Sequence, residues 1–106
     1  MSSKKGRVVN SWRSPEKLLM KAIAVALYDD GLRGRHLEET FEKIVPHWRS
    51  YFSNAVSANA LSQRADKARR YPREFEVLRP YWQAARRIAR GRARVGKREM
   101  RALSRG

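Results

Sequence analysis

The stretch LLMKAIAVALY, residues Leu18 to Tyr28, decides the fold because it is the longest apolar run in the chain. A membrane-spanning helix needs about 20 apolar residues, whereas this run has eleven and contains Lys21. It is apolar on nearly all sides, which is typical of a buried helix at the centre of a small bundle. The run therefore predicts a central core helix and no membrane partner.

Start and stop signals for a helix flank this run. Ser14 can cap a helix, and Pro15 at the first helical position lacks only an N–H that would have no partner there. Gly31 can supply the left-handed backbone that closes a helix. We therefore predict a first helix that begins at Pro15 and ends near Asp30.

Two further apolar stripes follow steps of three and four residues, the spacing of one helical face. The first is interrupted by Pro46 and the second by Pro80, so each is predicted to kink or to restart as a new helix there. The segment from Ser53 to about Arg70 is expected to remain helical, with a break before Pro72. No segment alternates like a strand, so the sequence predicts an all-α fold, a small bundle of three to four helices. The two stripes are Leu37, Phe41, Ile44, Val45, Trp48, Phe52, Ala55 and Val56, then Phe75, Leu78, Tyr81, Trp82, Ala85, Ile88 and Ala89.

Length and composition exclude several classes of protein. A chain of 106 residues without cysteine has room for one modest core. It can form neither a disulfide framework nor a thiolate zinc site, and thiol chemistry is excluded. The opening MSSKKGRVV has no hydrophobic signal-peptide core. We therefore expect a cytoplasmic protein, with the organelle matrix and the nucleoid left open.

The residues that could act as metal ligands or catalytic acids and bases are few. His36 and His47 lie near Glu38, Glu39 and Glu42 in the sequence. These residues form no His-Glu-x-x-His motif and no cluster of three ligands at metal-binding spacing. Pairs such as Glu39 with Lys43 are instead typical of a solvated helix face. We therefore predict no cofactor, no metal and no enzymatic activity.

The net charge of +15 is concentrated at the two ends of the chain. Residues 1–13 contain bases and no acid, residues 14–85 are nearly balanced, and residues 86–106 contain eight arginines and one lysine against a single glutamate. This distribution is usual where the ends contact a polyanion and the middle folds. It divides the chain into a basic N-terminal arm (1–13), a helical bundle core (14–85) and an Arg-rich C-terminal helix (86–106).

The C-terminal segment, Arg86 to Gly106, reads RRIARGRARVGKREMRALSRG. If it is one continuous helix, eight of its nine bases share an arc of about 120°, with Arg92 the exception. The opposite side then holds Ile88, Val95, Met100 and Leu103, together with Glu99. This sorting predicts a helix with a basic face rather than a loose cationic tail, although Gly91 and Gly96 each disfavour a helix by about 1 kcal/mol relative to alanine.

Three interpretations fit such a basic helix: a surface for nucleic acid, a surface for an anionic membrane, or the solvated face of a bundle helix. A membrane-surface helix usually places Trp or Phe on its apolar face, and this one has none. Nucleic acid is therefore favoured, with binding dominated by phosphate contacts. The predicted contact residues are Lys4, Lys5, Arg7, Arg13, Arg86, Arg87, Arg90, Arg94, Lys97, Arg98, Arg101 and Arg105.

We therefore predict a small basic nucleic-acid-binding protein without catalysis. RNA is slightly favoured over DNA, because Arg-rich segments can fold on RNA loops and bulges. A ribonucleoprotein component and a DNA accessory protein are two forms of this hypothesis. The alternative is a phage- or plasmid-type regulator or inhibitor that docks on a nucleic-acid-processing enzyme. Trp12 leaves a further choice open, between docking on the bundle and stacking on a base.

Overall fold

The computed structural model describes residues 12–53, 55–57 and 59–105, and all regular structure in these ranges is helical. The prediction of an all-α fold is confirmed. The described residues contain six α-helices rather than three or four, together with one short 3₁₀ helix, Trp48–Tyr51. The α-helices are α1 (Pro15–Asp29), α2 (Gly34–Ile44), α3 (Ala60–Arg70), α4 (Pro72–Glu76), α5 (Arg79–Gly91) and α6 (Lys97–Ser104).

Helix α1 is the centre of the fold, as the apolar run predicts. The Ser14 hydroxyl accepts a hydrogen bond from the Lys17 N–H at 3.3 Å and caps its first turn. Gly31, with φ of +98°, follows its last turn in the left-handed backbone that glycine tolerates best. All residues from 19 to 27 are buried. The helix contacts α2, α3, α5 and α6, so one helix organises most of the core.

The segment between α2 and α3 is less helical than predicted. Helix α2 ends at Ile44, just before Pro46, and the chain then forms the 3₁₀ helix. The prediction of helix from Ser53 onward is wrong for the described residues before Ala60, where α3 begins. The chain already leaves helical geometry at Phe52, which is extended, and here it packs on a distant residue: the Trp12 ring centroid lies 6.4 Å from that of Trp48 and 4.8 Å from that of Phe52. Trp12 is only 6% exposed, so docking on the bundle is the correct alternative for this residue.

The C-terminal segment is not the single helix that the sequence predicts. Helix α5 ends at Gly91, Arg92 is left-handed with φ of +55°, and irregular backbone continues until α6 begins. A tertiary contact holds this break, because the Val95 N–H donates to the Ile44 carbonyl at 2.7 Å. Glu99 caps α6 by accepting from the Gly96 N–H at 3.3 Å. The arc of eight bases on one continuous helix therefore does not exist.

Buried side chains continue past residue 85 into this segment. Ala89, Val95 and Met100 belong to the same apolar cluster as α1, and Met100 has no exposed surface. Helix α6 contacts α1 directly. The C-terminal residues are therefore held by the core and display their bases from fixed backbone positions.

Candidate nucleic-acid interface

Helix α5 displays arginines on the side opposite its contact with the core. It buries Ala85 and Ala89, whereas Arg86, Arg87 and Arg90 are exposed. At about 100° per residue, these three arginines span an arc of roughly 100°, most of it on the side away from the two alanines. The side-chain sorting predicted for residues 86–106 therefore holds within α5.

Helix α6 repeats this arrangement in a shorter form. Met100 and Ser104 are buried, whereas Lys97, Arg98 and Arg101 are exposed. These bases and Arg105, just past the helix end, span about 100° on the helical wheel. Two short basic faces, one on each helix, thus replace the single predicted face.

Arg94 lies in the irregular segment between these two faces. It lines one groove with Arg87, a cleft of about 270 Å³ whose other walls include Ile88 and Val95. Its charge also acts on His47, at the other edge of the segment. We use the term basic band for the bases that run from α5 through Arg94 to the end of α6, namely Arg86, Arg87, Arg90, Arg94, Lys97, Arg98, Arg101 and Arg105.

The α6 end of the basic band lies beside two rings. Burial lowers the pKa of His47, and the positive charges of Lys97 and Arg94 lower it further. Burial raises the pKa of Tyr51; Glu16 adds to this rise and Arg101 opposes it. The Tyr51 hydroxyl lies 3.3 Å from His47 Nε2. The band therefore combines cations with partly exposed aromatic surface, the combination that binds the backbone and bases of nucleic acid.

Almost all the bases of this segment lack acidic partners among the described residues. Within the described ranges, an ion pair with N···O of 4.0 Å or less forms at only one of them, Arg92, which lies 3.9 Å from Asp30. Arg92 Nε also donates to the Ala89 carbonyl at 2.8 Å. No acidic side chain of the described structure comes within that distance of the other eight, which are Arg86, Arg87, Arg90, Arg94, Lys97, Arg98, Arg101 and Arg105.

Arg69 shows how the body of the protein uses arginine instead. Its Nε and Nη2 donate to the Asp29 carboxylate at 2.9 and 2.5 Å. Its guanidinium also lies over the rings of Phe75 and Trp82, 4.6 and 5.2 Å from their centroids. Arg69 and Arg90 line the same cleft of about 310 Å³. Arg69 is thus bonded within the fold, whereas Arg90 forms no ion pair with the described residues.

The predicted N-terminal contacts separate from this surface. Lys4, Lys5 and Arg7 lie outside the described residues. Arg13 is exposed and lines a different cleft, bordered by α1, α3 and α4. The structure therefore groups the C-terminal bases along one band and does not place Arg13 among them.

Sequence reasoning missed His47 and Tyr51 as neighbours of the band. Both lie 35 or more residues before its first base, Arg86, and neither lies in a basic stretch. The hydrogen bond from Val95 to Ile44, together with the burial of both residues in one core cluster, brings the two segments together. Local sequence carries no signal for that contact.

Over residues 12–53, 55–57 and 59–105, no group of three or more His, Cys, Asp or Glu residues is arranged to hold a metal ion. None of the helices in those ranges has the length and apolar character required to cross a membrane. Comparisons with protein-family models, curated proteins and solved structures gave no match to this chain.

Proposed function

We propose that this chain is a small nucleic-acid-binding protein that contacts phosphates through the basic band and performs no catalysis itself. The observation that carries the proposal is the set of eight bases without acidic partners on α5, the irregular segment and α6. Each such base can neutralise a phosphate without first breaking an ion pair within the protein. The release of condensed counterions then drives binding.

The fixed backbone under the band also supports this proposal. Met100 is fully buried beside the exposed Arg101, and Ala89 is buried beside the exposed Arg90. Because buried neighbours hold these backbone positions, less conformational entropy is lost when the arginines bind a ligand. A preformed basic surface of this kind is suited to a polyanion with regularly spaced charges.

RNA remains the favoured nucleic acid. The sequence favours it because an Arg-rich segment can fold on RNA, whereas the structure offers a different reason, the aromatic rings beside the basic band. Tyr51 and His47 lie beside Arg94, Lys97 and Arg101. Aromatic rings next to cations favour unpaired bases that can stack, and RNA presents such bases in loops and bulges. Single-stranded DNA also presents unpaired bases. We therefore expect the protein to prefer single strands over duplexes, and RNA over DNA only as a weaker preference.

The test is the salt dependence of binding to labelled single-stranded RNA, single-stranded DNA and duplex DNA. About six to nine phosphate contacts give a slope of log affinity against log salt of roughly −4 to −8. A slope shallower than about −2 for every probe would overturn phosphate neutralisation as the driving term. A regulator that docks on an acidic groove of a nucleic-acid-processing enzyme would then become the leading hypothesis.

A further inference from the structure

Lys21 is the one charged residue inside the apolar run of α1, and it is only 5% exposed. Burial of an ammonium group is strongly unfavourable unless hydrogen bonds and opposite charge compensate it. Lys21 Nζ donates to Glu74 Oε1 at 3.1 Å, its only hydrogen bond to the described residues. An ammonium has three N–H donors, so the other donors of Lys21 have no acceptor in the described structure.

This ammonium lies at a cleft on the side of the bundle formed by α1, α3 and α4. The cleft has a volume of about 430 Å³. Its walls include Lys21, Arg13, Arg64, Lys67 and Glu74. It is large enough to admit a phosphate group together with the atoms on either side of it.

The charges around the cleft favour an anion. Glu74 is the single acidic residue among the lining side chains. The hydrogen bond from Lys21 lowers the pKa of Glu74 against an opposing effect of burial, and the charges of Lys21, Lys67 and Arg64 lower it further. In the described structure, neither Arg64 nor Lys67 has an acidic group within 4.0 Å, and the same holds for Arg13. Four bases and one carboxylate thus line the cleft.

We propose that this cleft is a second phosphate-binding site, in which Lys21, Arg64 and Lys67 donate to the phosphate oxygens. Arg13, which also lines the cleft, adds a further positive charge. Bonds between cationic donors and phosphate oxygens are shorter and stronger than neutral ones. The inference rests on the proposed function, since the phosphate is taken to belong to a nucleic-acid backbone.

This site is separate from the basic band. On α3, Arg64 and Lys67 lie roughly 140 to 160° around the helix from Arg69, which lines the cleft beside α5. No residue of the band lines the Lys21 cleft. One protein chain would therefore bind nucleic acid at two sites, the Lys21 cleft and the basic band. The two sites would hold either two parts of one folded strand or two separate strands.

The test compares two variants that each lose two positive charges. Arg64→Gln with Lys67→Gln alters the cleft, whereas Arg35→Gln with Lys43→Gln removes two exposed bases of α2 that do not line it. Affinity for inorganic pyrophosphate and for labelled single-stranded RNA is measured, with thermal melting as the folding control. We expect the cleft variant to lose about tenfold or more in pyrophosphate affinity and to lose several-fold more RNA affinity than the control variant. Melting should be alike for the two variants.

The possible results separate the sources of the phosphate. Loss of pyrophosphate binding with RNA affinity equal to that of the control would overturn the nucleic-acid assignment and indicate a site for a free phosphate compound. Absence of pyrophosphate binding, with equal RNA affinity for the two variants, would overturn the site itself. Pyrophosphate binding at the cleft in a protein that binds no RNA or DNA would uphold a phosphate site and refute the proposed function alone.

Glu74→Gln provides a test of opposite sign. Glu74 competes with the ligand for Lys21, so its neutralisation should raise pyrophosphate affinity by about threefold or more while the Lys21 side chain keeps a hydrogen-bond acceptor. A Lys21–Glu74 pair with a structural role only would predict no gain. Unchanged or weaker pyrophosphate binding in a variant with normal melting would contradict the proposal.

Discussion

In the region from residue 12 to 85, five of the thirteen bases form an ion pair with a carboxylate, whereas only one of the nine bases from residue 86 to 105 does so within the described structure. Arg49 donates to Glu42 and Glu38, and Arg69 binds Asp29 with two hydrogen bonds. Arg90, across a cleft from Arg69, has no such partner in the described structure. One residue type thus has two roles, and net charge alone does not distinguish them.

The comparison is sharpest within α6, where buried and exposed residues are adjacent. Met100→Ala removes a fully buried side chain and should lower the free energy of unfolding by about 2 to 5 kcal/mol. Arg101→Gln, one residue along, should change it by less than about 0.5 kcal/mol. Chemical denaturation measures both values. Similar stability losses would show that Arg101 belongs to the fold, and negligible loss for Met100→Ala would show that α6 is not part of the core.

A second pair of variants compares Arg69 and Arg90, which line the same cleft. Arg69→Gln removes the two bonds to Asp29 and the contacts with the Phe75 and Trp82 rings. Because Arg69 is partly exposed, the expected loss of stability is about 1 kcal/mol. Arg90→Gln should leave thermal melting unchanged and weaken RNA binding. The reverse result, with Arg90 stabilising the fold and Arg69 binding RNA, would break the comparison.

The smallest expected effect concerns His47. Its pKa is lowered in the folded protein, so the unfolded chain takes up a proton at higher pH than the folded chain. Stability should therefore decrease slightly as the pH falls from about 7 through the histidine range, because the unfolded state binds more protons there. The difference between the pH profiles of the wild type and His47→Gln isolates this contribution. A wild-type protein that gains stability over this range relative to the variant would contradict the assigned direction.

The sequence predicts α1 well because its signals are local. Ser14 and Pro15 define its start, and Gly31 follows its end. The sequence also predicts that bases and apolar residues occupy opposite sides of the C-terminal helices. That sorting survives in α5 and α6 because each helix must bury its own apolar residues.

Continuity of the C-terminal segment could not be predicted, because a distant contact breaks it. The glycines at 91 and 96 weaken a helix, but the bond from Val95 to Ile44 holds the irregular conformation between them. Similarly, Phe52 has extended backbone and packs its ring on Trp12, a residue far away in the sequence. Burial of Val95 and Met100 also means that truncation after Ala85 would remove core side chains as well as the basic band.

The most direct test of the central claim compares the RNA affinity of two triple variants across a series of salt concentrations. Arg90→Gln, Arg94→Gln and Arg101→Gln remove three charges from the basic band, and Arg35→Gln, Lys43→Gln and Arg73→Gln remove three exposed charges from the body. Charge-assisted contacts are worth about 1.5 to 3 kcal/mol each before solvent screening. We therefore predict at least about a hundredfold loss for the band variant, a salt slope shallower by about 2, and a much smaller loss for the body variant. Equal losses with equal slopes would show that the positive charges act interchangeably, and would contradict a defined interface along residues 86–105.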